Sequence, residues 1–208
     1  MSGNSASANA IGCIVKTNSH VEYLCRIYRH REIDHTPHAE DFRFGRFVTV
    51  ESGDNLGGAL GRIVGLICNT HVVNPDFGSP FNPQMVSDDF DITLPPYLQA
   101  DFTAVEVVGI GWETPDTEYL QSVPPHAPMM NAPVHPMPKA DVARFHQQGD
   151  RGLQVDYLPF LINWNHPLAQ DLLLHQLRFL RANFPEHGDA LTVVENMVKW
   201  KSIVGGLR

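Results

Sequence analysis

Cysteine, lysine and long apolar runs are all scarce in this chain of 208 residues. The cysteines are Cys13, Cys25 and Cys68; they form no Cys-x-x-Cys spacing and cannot all pair within one chain. Buried, reduced thiols in a cytoplasmic setting are the expectation. The lysines are Lys16, Lys139, Lys199 and Lys201, preceded by Val15, Pro138, Val198 and Trp200. A P-loop sets its lysine directly after glycine, so that the ammonium reaches the β- and γ-phosphates from a backbone cradle. No lysine here meets that condition, which excludes a P-loop motor. No stretch approaches the ~18 apolar residues that span a bilayer. Residues Met1–Ala10 are small and polar, without the basic start and apolar core of a secretory signal. A soluble protein with no membrane contact is expected.

Positive charge is also short. Fifteen Lys and Arg stand against 23 Asp and Glu, a net charge of -8. That balance disfavours a nonspecific nucleic-acid binder, which needs a positive field along the phosphate track. The acidity is concentrated up to Pro138, where 7 basic residues face 16 acidic ones; from Lys139 onward 8 face 7. A basic protein surface suits the first part better than a duplex does. The hydrophobic fraction of 43% and charged fraction of 18% fit a globular chain rather than extended disorder.

What is present reads as strands first and helices later. Residues 1–9 are expected to be a loose tail. Ile11–Thr17, Val21–Tyr28, Phe44–Val50, Leu60–Val73 and Phe102–Trp112 are rich in β-branched and aromatic residues. Val21–Tyr28 alternates, with Val21, Tyr23, Cys25 and Ile27 on one face. Ser52–Gly61, with Gly53, Gly57 and Gly58, reads as a turn, and Asn74–Leu98 as a long irregular excursion. Its Asp88-Asp89-Phe90-Asp91 run lacks the calcium-loop spacing and reads as a solvated acidic loop. Seven prolines between Pro115 and Pro138 argue against a helix or central strand and mark an extended linker. Beyond it the period becomes helical. Lys139–Gln148 is a short helix, and Asn165 caps a second that runs to about Asn183, with Leu168, Leu172, Leu173, Leu177 and Leu180 as its core stripe. Asp189 caps a last helix over Ala190–Val204, with Leu191, Val194, Met197, Val198 and Ile203 as apolar positions. The expectation is an α+β protein: a β-barrel over residues 10–114, a linker over 115–138 and a small helical bundle over 139–208.

Three short stretches give the barrel a likeness. Ile11-Gly12-Cys13-Ile14-Val15, Phe44-Gly45 leading into Phe47-Val48-Thr49-Val50, and Gly61-Arg62-Ile63-Val64-Gly65 each set glycine beside a β-rich run. Residues 10–112 thereby resemble the HAS-barrel, the N-terminal β-barrel of HerA-type DNA-translocating ATPases. The resemblance implies a barrel that serves ring assembly and partner docking, with the chemistry left to an ATPase domain. This chain departs from the pattern completely in having no P-loop. The implied partner is a separately encoded ATPase subunit or further copies of the chain itself, and no cofactor is implied.

Chemistry-bearing residues leave two alternatives. His30, His35, His38, Glu40 and Asp41 cluster in sequence, and imidazole with carboxylate suits zinc or iron, so a metal-dependent hydrolase could be built there. No metallohydrolase spacing supports it, and a polar loop explains the same residues more cheaply. Tyr23, Arg26, Tyr28, Arg29 and Arg31 interleave arginine with aromatics, as single-strand binding surfaces do, though Glu22, Glu32 and Asp34 dilute the patch. Nucleophile logic offers less: there is no Gly-x-Ser-x-Gly elbow, and the cysteines sit in strands, where pairing with His20 or His71 would be required. Glu113, Asp116 and Glu118 read as a solvated strand exit. A non-enzymatic adaptor is the reading these residues favour.

Overall fold

A computed structural model describes residues 9–30, 32–53, 59–73, 102–147, 149 and 152–205. The acidic run Asp88–Asp91, the rest of the Asn74–Leu98 excursion, most of the N-terminal tail and Gly57-Gly58 lie outside the described residues. The strands are β1 (Gly12–Thr17), β2 (Glu22–Ile27), β3 (Phe47–Gly53), β4 (Ala59–Val73), β5 (Phe102–Glu113), β6 (Tyr119–Leu120) and β7 (Pro133–Pro136). They neighbour in the order β2-β1-β7-β3-β4-β5-β6, and β2 also pairs with β5. That extra pairing closes six strands into a ring, every step of it antiparallel. Closure leaves the ring no open edge. β6 pairs with the far end of β5.

Alternation along each strand sorts the side chains. Ile14 of β1, Tyr23 and Cys25 of β2, Val48 and Val50 of β3, Ile63 and Ile67 of β4, Val105 and Val107 of β5 and Val134 of β7 form one buried cluster. Contributions from all six strands place it in the barrel interior. Phe47, Val64, Leu66, Val108 and Ile110 belong instead to a second cluster shared with the helices. The face expected for β2 is the one observed.

The proline-rich stretch departs from expectation, because part of it is the strand that seals the barrel. β7 lies between β1 and β3, with Val134 opposite Gly12 on one side and Val50 on the other. Proline lacks only the donor and keeps an extended-compatible φ and a carbonyl. Pro133 and Pro136 stand at the strand ends, and flanking residues do the donating: Asn131 N–H to the Ile14 carbonyl at 2.8 Å and Met137 N–H to that of Phe47 at 2.9 Å. Ile11 N–H in turn donates to the Val134 carbonyl at 2.7 Å.

The helices are α1 (Lys139–His146), α2 (Leu158–Asn163), α3 (Ala169–Asn183) and α4 (Gly188–Gly205). None among the described residues is long and apolar enough to cross a membrane. They cover the outer wall of the barrel rather than standing apart from it. Leu172, Leu173, Leu177 and Leu180 of α3 share a core with Phe47, Leu66 and Val108 of the barrel. At its centre the buried His146 ring lies 5.4 Å from Phe47 and 5.1 Å from Phe145. Its Nδ1 donates to the Val142 carbonyl at 2.8 Å, and Nε2 accepts from the Tyr157 hydroxyl at 3.1 Å. Burial pushes its pKa down to about 4.

Gly45 sets how close α3 comes. Its φ is +74°, and an added Cβ would lie 2.2 Å from the His175 ring. The Gly45 carbonyl also accepts from Gln176 Nε2 at 2.9 Å. Only glycine meets both demands. Two helix expectations need correction. α3 starts at Ala169, not just after Asn165, because His166 is drawn onto the barrel wall. Met197, expected in the core, is 67% exposed.

Candidate functional site

The two sequence clusters stay dispersed. His30 Nδ1 lies 3.2 Å from Thr36 Oγ1, and the His35 and His38 rings meet edge to face at 5.7 Å. Glu40 pairs with Arg43 at 3.2 Å, and Asp41 accepts the His38 N–H at 3.0 Å. Among the described residues no three of these donors gather at one point. In the arginine–aromatic patch, Tyr23 must be set aside: it is 1% exposed inside the barrel, its hydroxyl donating to the His20 carbonyl at 2.7 Å. No base can stack on it. Arg26 grips both Glu32 oxygens at 3.0 and 2.8 Å and lies 5.7 Å above the Tyr28 ring. The Arg29 backbone N–H donates to the same carboxylate at 3.0 Å. Arg31 lies outside the described residues.

The thiol–histidine pairs that a cysteine nucleophile would require do not form either. All three cysteines are free and buried. His20 Nε2 bonds to the Pro124 carbonyl at 2.7 Å, and His71 turns to a carboxylate. Glu113, read as a solvated strand exit, is buried and ion-paired to Arg62.

That carboxylate, Glu106 of β5, is the centre of an arrangement the sequence did not reveal. His71 of β4 meets its Oε1 at 3.0 Å, and His166, from the α2–α3 connection, meets Oε2 at 3.2 Å. Burial raises the Glu106 pKa, but hydrogen bonds from His71 and His166 outweigh it and hold the carboxyl below its usual range. Trp164 stacks on His166 with ring centroids 4.3 Å apart, and its Nε1–H donates to Glu22 Oε1 at 2.7 Å. The group therefore ties β2, β4 and β5 to the α2–α3 connection. It lines a cavity of about 100 Å³ with Asn18, Tyr23 and Cys68.

Cys68, Glu106 and His166 place one donor atom each within 4.8 Å of one another, which on distance alone suits a borderline metal. The histidine's hydrogen bonding opposes that use. Leu168 N–H donates to His166 Nδ1 at 3.1 Å, so the proton of the neutral ring sits on Nε2 and points at Glu106. A ligating histidine needs Nε2 bare and its other nitrogen donating. The Cys68 thiol donates to the Glu106 carbonyl at 3.4 Å, and burial together with the neighbouring Glu106 charge pushes its pKa up. A thiol so placed is a poor nucleophile. Glu106, held ionised, is a weak base and no acid at neutral pH. What the cluster does chemically is latch the helices to the barrel.

On the other side of Trp164 and His166 lies a larger cleft of about 340 Å³ with a mixed polar and apolar lining, reaching Leu161, Ala169, Gln170, Leu173 and Val198. The fold is thus a small closed antiparallel barrel carrying a helical layer, latched by a half-buried carboxylate. A family described as Domain of unknown function (DUF8166) matches residues 2–208, and the chain belongs to it. No curated protein matches the chain.

Proposed function

We propose that the chain is a non-enzymatic adaptor or assembly module, docking to a separate ring ATPase of the HerA type or to copies of itself. The observation that carries the reading is a row of bare apolar side chains on α4. Val193, Met197 and Trp200 are 59%, 67% and 68% exposed and recur at helical spacing. Single exposed hydrophobics are ordinary, whereas a contiguous row on one helix marks an interaction surface. The resemblance of the barrel to the HAS-barrel adds the kind of partner. A weak base and a buried thiol at the Glu106 cluster fit a role without turnover.

The test is capture from native lysate with cross-linking, using the wild type and Trp200→Glu as baits. Recovery of an ATPase subunit by the wild type, cut at least tenfold by Trp200→Glu, is the expected result. ATP hydrolysis by the purified chain would overturn the reading. A metal-dependent hydrolase is the second reading, favoured by the meeting of Cys68, Glu106 and His166 and opposed by the His166 tautomer. One equivalent of zinc or iron in the purified protein would move the choice to it.

A further inference from the structure

We propose that a ridge of cationic side chains across α3 is a docking site for a short acidic peptide segment of a partner. His175, Arg178 and Arg181 follow one another at three-residue spacing, so they line one side of α3 over about 9 Å of its axis. Arg43 stands at one end, next in sequence to Phe44, whose ring meets His175 edge to face at 5.8 Å. Lys199 of α4 stands at the other end, where it and Arg181 reach Glu195 at 2.7 and 3.2 Å. Asp171, four residues before His175, ends the run on its own helix. The ridge stands independently of the apolar row on α4, because Lys199 and Trp200 are neighbours in sequence and so about 100° apart around the helix.

The two ends of the ridge differ in what they hold. At the α4 end a carboxylate is already in place: the Lys199 hydrogen bond, with the Arg181 and Arg178 charges, keeps Glu195 below its usual range. At the Arg43 end none is seated in this way. Arg178 is exposed and meets no carboxylate among the described residues, and neither ring nitrogen of His175 is hydrogen-bonded among them. Arg43 touches Glu40 at 3.2 Å, but that pair is 55% and 80% exposed, the kind that contributes little and exchanges readily. Burial together with the Arg43 and Arg178 charges pushes the His175 pKa down, so positive potential is felt at the ring. With 23 acidic residues against 15 basic ones, arginines here are usually met from within, as Arg26, Arg62, Arg144 and Arg181 are.

The arrangement of the donors selects the occupant. A lone phosphate needs donors that converge on a point, and these are strung along a ridge. Carboxylates recurring along a peptide meet them in turn, each guanidinium offering two parallel N–H bonds. A long polyanion such as a nucleic acid would run off the ridge onto a molecule at -8. A short acidic stretch stays within it. The Arg43 end is also held in shape, since a Cβ on Gly45 would lie 2.2 Å from the His175 ring.

Anisotropy of a fluorescein-labelled hexaglutamate, titrated with the full chain to about 1 mM at about 20 mM salt, tests this. Saturable binding is expected, weakened at least tenfold by Arg178→Glu and at least threefold by His175→Gln, with unchanged circular dichroism. It should vanish at about 0.5 M salt. Trp200→Ser should bind as the wild type does, which separates the ridge from the apolar row. Absence of binding overturns the proposal, and so does binding indifferent to Arg178→Glu. An equal loss in Trp200→Ser overturns the ridge as a site of its own. An oligothymidylate of equal charge that binds as tightly through Arg178 overturns the choice of an acidic peptide.

Discussion

The barrel interior and the seam between barrel and helices are both buried, but they are built from different materials. The interior is mostly aliphatic: Ile14, Val48, Val50, Ile63, Ile67, Val105, Val107 and Val134. The seam packs Phe47, Phe145, Tyr157 and Phe184 around His146, with Gln176 bonded to the Gly45 carbonyl nearby. Aliphatic side chains of suitable volume fill a closed ring in many equivalent ways. A buried imidazole that donates to one carbonyl and accepts from one hydroxyl tolerates far fewer. The contrast teaches that the barrel supplies a generic wall and the seam determines where the helices sit, and so where the α4 face is presented.

The sharpest test of this contrast is truncation on each side. Phe145 is fully buried and touches Phe47, Tyr119, His146 and Tyr157. Phe145→Ala should cost about 4 kcal/mol, against about 1 kcal/mol for Ile14→Val in the interior. Urea unfolding followed by fluorescence and by circular dichroism measures both; equal costs would erase the distinction.

Acid should act on the seam next. His146 is held neutral in the folded chain with a pKa of about 4, below its ordinary value of 6.5. The unfolded chain takes up that proton first, so the stability is complete above pH 6.5 and is lost as pH falls to about 4. The loss amounts to about 3 kcal/mol. Urea midpoints at several pH values should fall over this window in the wild type, and the His146 part of the slope should vanish in His146→Gln. An unchanged slope in that variant would mean that other groups govern acid sensitivity.

The smallest of the three effects belongs to Gly45. Ala there adopts a left-handed φ and meets the His175 ring, at a cost of about 2 kcal/mol. His175→Ala in the same chain should recover the steric part and leave the backbone part. No recovery would show that α3 does not bear on Gly45 in solution.

Five strands were legible because alternation and β-branching are local signals, and Phe102–Trp112 or Val21–Tyr28 carry them undiluted. β7 was hidden by its prolines, since counting prolines says nothing about which N–H groups the ladder needs. The helical spacing of α4 was legible too, but apolar residues extend around so much of it that sequence could not say which of Met197 and Val198 faces inward. The Glu106 latch left no spacing to read, because His166 lies 60 residues away and meets Glu106 only through the fold. Its faint mark is Trp164-Asn165-His166-Pro167, an indole and an imidazole at a proline, in which Asn165 reads more simply as a helix cap. The His30–Asp41 cluster shows the reverse: nearness in sequence gathered donors that the loop then spread apart.

The sealing strand β7 has a consequence for how the chain is made. Five of the six staves emerge from the ribosome before it, and until Pro136 is out β1 and β3 have nothing between them. Between the emergence of β5 and that of β7 the five strands can form only an open sheet with two bare rims, a form prone to pairing with its neighbours. α1 begins three residues after the seal, so closure and helix docking belong to one late, joint event. A ribosome that stalled short of residue 133 would release not a smaller barrel but an unfinished one.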